Sequence, residues 1–241
     1  MPTAGLLIIG NEILSGKIVD TNSPYLAAEL RQLGVDLERI LTIPDEVDLI
    51  ADEVRSMSDR YDHVFTSGGI GPTHDDVTIE SIAQAFNRKV VCSESLLERI
   101  QRGQDKPLNE AMRKMAMLPE GATMIDAGDL WFPVICVENV HIFPGIPELF
   151  RKKFASIRER FSGVPVQLTR FFVTLYESEI AEDLHSLLRE FPELMLGSYP
   201  RINEPDYRVM LTLESRDPDY LQRATEALRA KWPADVIHRV E

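Results

Sequence analysis

Two adjacent aspartates, Asp75 and Asp76, close a stretch that reads SGGIGPTHDD from Ser67. Ser67, Gly68, Gly69 and Gly71 would let a ligand come close to the backbone and turn N–H groups towards it, because glycine carries no Cβ. Pro72 and Thr73 complete the turn, and a helix beginning near Asp76 would add an anion-favouring N-terminus. A second polar cluster, GNEILSGKIVDTN, follows the apolar start of the chain and holds Gly10, Asn11, Glu12, Asp20 and Asn22. Its Gly-Lys pair invites comparison with a phosphate-binding Walker loop. The comparison fails: five residues, Asn11 to Ser15, separate Gly10 from Gly16 where four are needed, and Ile18 stands where Ser or Thr should reach Mg²⁺. The third cluster is FPGIP, with Pro144 and Gly145.

Acids beside backbone anion cradles would repel a bare phosphate. A divalent cation reconciles them, since carboxylates commonly hold Mg²⁺ together with substrate phosphates. The residues themselves therefore point to nucleotide or pyrophosphate chemistry with a metal, and Asp45, Asp75 and Asp76, with Glu12 nearby, are the candidate ligands. Each acid also has a structural reading. Asp45 and Asp76 suit helix N-caps, and Asp20 could brace its loop. Among bases, Lys17, Arg113 and Lys114 could reach a phosphate or merely face solvent. His74 could ligate or titrate, or simply pack. No Ser-His-Asp set, zinc-ligand spacing or redox pair accompanies them.

These loops need strands to hold them at one edge. Residues 4–9 read as a buried strand, followed by a helix with Ser23 as N-cap and Pro24 at its first position, ending at Gly34. A strand at 35–43, a helix through PDEVDLIADEVRSM, a strand at 61–67 and a helix from about Asp76 continue the rhythm. Such alternation builds a parallel sheet covered on both faces. Ligands of open α/β sheets collect outside the carboxyl ends of the strands, which is where all three loops fall. Short helices in SESLLERIQRG and LNEAMRKMAM follow, with Met112, Met115 and Met117 filling core gaps. Strands near 123–126, 131–137 and 139–143 and a last amphipathic helix complete this part. Beyond Gly163 the order strand, helix, strand, strand, helix, strand is that of a ferredoxin-like unit. The expected organisation is a three-layer α/β/α domain over 1–163 and a small α+β domain over 164–241.

The 241 residues carry a net charge of −13, with 44% hydrophobic and 27% charged content. That is an ordinary folded composition, and the negative field argues against nucleic acid or an anionic membrane as partner. Cys92 and Cys136 lie in apolar stretches and read as buried free thiols of a reducing compartment. The N-terminal apolar run is too short to span a bilayer and has no basic flank, so a cytoplasmic protein is expected. A homo-oligomer, most often a two-fold dimer, is the usual state of such enzymes.

IGNEILSGKIVDTN, TSGGIGPTHDDVT and FPGIPE, in this order and spacing, resemble the molybdopterin-binding (MoaB/Mog-like) superfamily. More narrowly, the chain is similar along its whole length to the N-terminal part of the competence/damage-inducible protein A (CinA) family and to the N-terminal domain of eukaryotic FAD synthase. The resemblance implies a three-layer domain with its site at the glycine loop, and functional carboxylates at the positions of Asp45 and Asp76. It implies hydrolysis of nucleotide diphosphates such as ADP-ribose or FAD, needing a divalent metal (Mg²⁺, Co²⁺ or Mn²⁺) and helped by K⁺. It also leaves open the binding or adenylylation of molybdopterin, or nucleotide sensing without turnover. The chain departs from CinA where an Asn-Pro-x-Gly-x-Ala-Pro-Gly segment is usual; it reads DAGDLWFPVICVENV there. The CinA amidase domain and the FAD synthase adenylyltransferase domain are not in this sequence, so nicotinamide-nucleotide deamidation is not expected.

Overall fold

Thr3–Ile9 (β1) is apolar on both faces, and its alternation decides which side chain goes where. Leu6 and Ile8 point into one core while Leu7 and Ile9 point into another, all of them 3% exposed or less. A strand buried on both sides belongs inside a sheet with layers above and below it. The computed structural model describes residues 1–103, 108–128 and 130–241. Asp129, in the stretch DAGDLWFPVICVENV where the chain departs from CinA, lies outside the described residues.

After β1 come a single helical turn α1 (Asn11–Leu14), α2 (Asn22–Gln32), β2 (Asp36–Ile43), α3 (Val47–Arg60), β3 (His63–Ser67) and α4 (Thr78–Ala85). The middle holds β4 (Val90–Cys92), α5 (Glu94–Arg102), α6 (Glu110–Met115) and β5 (Met117–Pro119). Then follow β6 (Thr123–Ala127), β7 (Leu130–Val137), β8 (Val140–Phe143), α7 (Pro147–Ile157) and a 3-10 turn at Arg158–Arg160. The main sheet runs β2-β1-β3-β8-β7-β6; the first four strands are mutually parallel and the last two antiparallel. Leu26, Leu30, Phe150, Phe154 and Phe161 cover one face, and Ile50, Val54, Ile82, Leu96 and Ile100 the other. The expected three-layer, mostly parallel architecture is the observed one.

Several local expectations need correction. The helix α2 starts at Asn22, so Ser23 is not its N-cap; Asp20 Oδ1 accepts from the Asn22 and Ser23 N–H groups at 2.9 and 3.1 Å and satisfies that end instead. Neither Asp45 nor Asp76 caps a helix, because α3 and α4 begin two residues beyond each. The turn α1 and the two-stranded antiparallel β4–β5 sheet were not expected. Cys92 lies on that small sheet and is exposed rather than buried, while Cys136 is half-buried.

Chain contacts divide at Gly163, giving units Met1–Gly163 and Val164–Glu241. The second comprises β9 (Gln167–Val173), α8 (Glu177–Glu190), β10 (Met195–Pro200), β11 (Val209–Ser215), α9 (Pro218–Lys231) and β12 (Ile237–Val240). Its antiparallel sheet runs β10-β11-β9-β12, the ferredoxin-like order. Phe171, Val173, Leu211 and Leu213 pack against Ile180, Leu187, Ala224 and Leu228 from the two helices. Asp217 caps α9 through the Asp219 and Tyr220 N–H groups, with Pro218 at its first position. Among the described residues no helix is long and apolar enough to cross a membrane.

One core group makes stability depend on pH. His141 is 7% exposed, stacked on Phe65, with its Nδ1 buried and without a partner among the described residues. Burial, and then the nearby His63, push it down to about 4. His63 is lowered too, again by burial. A histidine depressed in the folded state is charged more readily when unfolded. Its contribution is therefore complete above the unfolded value of 6.5 and is lost as pH falls towards 4. Unfolding by urea should show a loss of about 2 kcal/mol between pH 7 and pH 5 that is smaller in His141→Phe. Equal slopes in the two proteins would remove His141 from that account.

Candidate active site

The carboxyl ends of β1, β3 and β8, side by side in the sheet, bring the three sequence clusters together. Asn22 is the joint between them. Its Nδ2 donates to Ser67 Oγ and to the Gly145 carbonyl, both at 2.9 Å, and the residue is 4% exposed. The orientation of the amide follows from chemistry, since Gly145 O can only accept. Ser67 Oγ also approaches the Pro144 carbonyl at 3.5 Å. In this geometry Asn22 clamps the SGGIGPTHDD and FPGIP loops to each other. Asn22→Leu should cost about 2 kcal/mol, chiefly because it leaves the buried Ser67 Oγ without its amide donor. A urea midpoint within error of wild type would show that water replaces the amide at no cost.

The glycine turn is shaped by close backbone approach. Gly68 has φ +109°, and a Cβ there would sit 2.1 Å from the Ile9 carbonyl oxygen of the neighbouring strand. Gly69 has φ +64°, with Thr78 Oγ1 only 2.3 Å from where a Cβ would be. Thr78 is buried and ties the turn down, donating from Oγ1 to Gly68 O at 2.9 Å and from its N–H to Gly69 O at 3.0 Å. Substitution of Gly69 therefore disturbs the turn itself as well as any ligand. The expected run of ligand-facing N–H groups from Ser67 to Thr73 is also shorter than expected. Gly68 N–H goes to Phe143 O, Thr73 N–H goes to Asp76 Oδ2 at 2.8 Å, and Pro72 has none. Gly69, Ile70 and Gly71 keep N–H groups that bond to no acceptor among the described residues.

The aspartates take separate positions. Asp76 accepts from the Thr73 N–H and from Thr73 Oγ1 at 2.5 Å, and a Cβ on Gly71 would touch its Oδ2 at 2.6 Å. Asp45 Oδ2 accepts from the Asn11 N–H at 2.8 Å, linking the end of β2 to α1. Asp75 lies in solvent, its side chain 65% exposed. His74 is almost wholly exposed beside it. Asp45, Asp75 and Asp76 do not form a ready-made metal cage: among the described residues no three His, Cys, Asp or Glu side chains converge in that way. Local hydrogen bonds have spent part of their acceptor capacity.

Two cavities meet at the Gly71–Asp76 turn. The larger, about 520 Å³, is walled by Ile18, Trp131, Phe132, Ile146 and Leu149, with Glu12, Asp76, Gly145 and Lys153 as its polar groups. The smaller, about 320 Å³, carries Asp76, His74, Glu80 and Lys114 among apolar residues that include Val77, Ile79 and Met117. Ile70, Gly71, Asp76, Met115 and Phe132 belong to both walls. Lys114 Nζ donates to the Thr73 carbonyl and so braces the turn. Lys17 and Arg113 are exposed and line neither cavity. Gly10 donates its N–H to Ile43 O at 3.1 Å and shapes the first loop behind Glu12.

Lys153 was missed. It is 3% exposed, donates to the Phe132 and Pro133 carbonyls at 2.9 and 2.5 Å, and burial pushes it down to about 7. The signal was present, because Phe150, Lys153, Phe154 and Ile157 share one helical face. A lysine in that register faces inward, unlike Arg151 and Lys152 beside it.

A family profile described as "Probable molybdopterin binding domain" matches residues 5–169, and one described as "FAD synthase, middle domain" matches residues 165–241. A protein of Archaeoglobus fulgidus is 39% identical over 92% of this chain and 94% of its own length. A protein named "Probable FAD synthase" from Caenorhabditis elegans is 31% identical over 98% of this chain, which spans about half (51%) of that relative's length. A crystal structure of the protein CinA from Thermoplasma acidophilum, described as of unknown function, matches with a TM-score of 0.60 at 28% identity. It covers 66% of this chain and 97% of its own.

Proposed function

This chain belongs to the family of the probable molybdopterin-binding domain, and from that premise we propose that it is a metal-dependent hydrolase of nucleotide diphosphates such as ADP-ribose or FAD. The observation that carries the proposal is the position of Asp76 and the Gly71 turn on a wall common to two cavities. A diphosphate laid on that turn would have its two ends in separate, largely apolar compartments. Similarity to a named FAD synthase supports nucleotide chemistry.

In this reading the N–H groups of Gly69, Ile70 and Gly71 hold the diphosphate oxygens. Asp76 and Glu12, two hard oxygen donors on the wall of the larger cavity, fit a divalent cation held jointly with substrate phosphates, a common arrangement for Mg²⁺. Such a cation, when bound, would neutralise charge on the phosphates and would lower the pKa of a water on it. Asp76 is the catalytic carboxylate, fixed by the Thr73 bonds; Asp45, expected as its catalytic partner, acts as a positioning residue that sets α1 and hence Glu12. Water attack on phosphorus breaks the P–O–P link and leaves two phosphate monoesters. K⁺ as an activator, a homo-oligomeric assembly and cytoplasmic residence belong to the same proposal; the two free thiols suit a reducing compartment.

Phosphate release from a panel of nucleotide diphosphates, coupled to a phosphatase and run with Mg²⁺, Co²⁺, Mn²⁺ and K⁺, tests it. Turnover of at least one member that disappears with chelator is expected. A second reading, binding of molybdopterin, is favoured by the family itself. Pterin fluorescence that co-purifies with a protein inert towards the whole panel would select it.

A further inference from the structure

The one deeply buried cation on the wall of the larger cavity has no carboxylate partner among the described residues. Lys153 meets only the Phe132 and Pro133 carbonyls and the Phe132 ring, 4.5 Å from Nζ. Buried ammonium groups are normally paired, because desolvation of an unpaired charge is costly. The two carbonyls explain its place but not its charge. Regular pairing of β7 with β8 covers only Ile135 to Val137, so Phe132 and Pro133 lie beyond it and take their donor from α7. Either a hydroxyl or an amide of suitable length could serve there. The other charged residues on that wall, Glu12 from α1 and Asp76 from the glycine turn, form no ion pair with Lys153.

We propose that Lys153 is the cationic contact for a phosphate oxyanion of the ligand in the larger cavity. The inference rests on reading that cavity as the nucleotide site and names the residue that would receive the charge. It also explains how a chain with 39 acidic and 26 basic residues could hold an anion beside two carboxylates. Burial leaves Lys153 near 7, so it is partly neutral in the free protein at neutral pH. An oxyanion beside it favours the ammonium form, and the proton comes from solvent.

The test uses metal-free wild-type protein carrying ¹³C at the lysine ε-carbons, with inorganic pyrophosphate as probe. The Lys153 resonance is identified by its loss in Lys153→Arg. Its titration midpoint should rise by one pH unit or more when pyrophosphate is added, and Lys153→Met should bind pyrophosphate at least tenfold more weakly. A midpoint unmoved by pyrophosphate, an unchanged affinity in Lys153→Met, or no pyrophosphate binding by wild type would each overturn the proposal. If Lys153→Met does not fold, the wild-type titration decides alone. Neither readout needs turnover: inert ADP-ribose and FAD beside a responsive Lys153 would sink only the hydrolase reading. Active hydrolysis beside an unresponsive Lys153 would sink only this one.

Discussion

Gly68→Ala should lower the stability of the first unit by about 3 kcal/mol, of which the left-handed backbone supplies about 1–2 and the steric clash the rest. The glycine has φ +109°, and the added Cβ would lie 2.1 Å from the Ile9 carbonyl oxygen. That atom is backbone at the carboxyl end of β1, an interior strand of the sheet, so it cannot swing aside as a side chain would. Gly16→Ala is the control. Gly16 also has a positive φ, +70°, but nothing stands within 4 Å of the new Cβ. It should cost only the conformational part, about 1–2 kcal/mol. Urea midpoints at unchanged m-value separate the two. Equal losses would mean that the close approach of β1 and the turn relaxes freely.

Asp76→Asn should leave the fold intact and reduce metal-dependent turnover about a hundredfold, roughly 2.7 kcal/mol of barrier. The carboxamide oxygen can still accept from the Thr73 N–H and hydroxyl, which are the bonds that place the turn. What is lost is charge at the point where both cavities meet. Divalent-metal affinity in the presence of nucleotide should fall with it. A variant with wild-type turnover and metal dependence would take Asp76 out of the chemistry and leave it as a brace for the loop.

The strands and the three loops could be read from the sequence because their signals are local. An apolar run, a glycine-rich turn and a polar cluster each announce themselves within a dozen residues, and the parallel order places them at one edge. The roles of single acids could not be read in this way. Asp45 looks like a cap for the helix that follows it, yet its acceptor capacity goes to Asn11, 34 residues earlier and on another strand's loop. Asp76 folds back on Thr73 inside its own turn. Asp20, read as a brace, does serve α2. Apolar neighbours in sequence suggested a buried Cys92, but the two-stranded β4–β5 sheet leaves it uncovered. Lys153 was hidden by its neighbours, since a basic run reads as a solvated face until helical phase is considered residue by residue.

Cleavage of a nucleotide diphosphate at the Asp76 turn is the chemistry proposed for this chain. Its most direct test is a single-turnover incubation with protein in molar excess over FAD or ADP-ribose, with products separated by chromatography. With Mg²⁺, Mn²⁺ or Co²⁺ present, the account predicts AMP together with FMN or ribose 5-phosphate in equal amounts, and no product with chelator or in Asp76→Asn. Recovery of both nucleotides intact under every metal, at protein concentrations where they are shown to be bound, would contradict it.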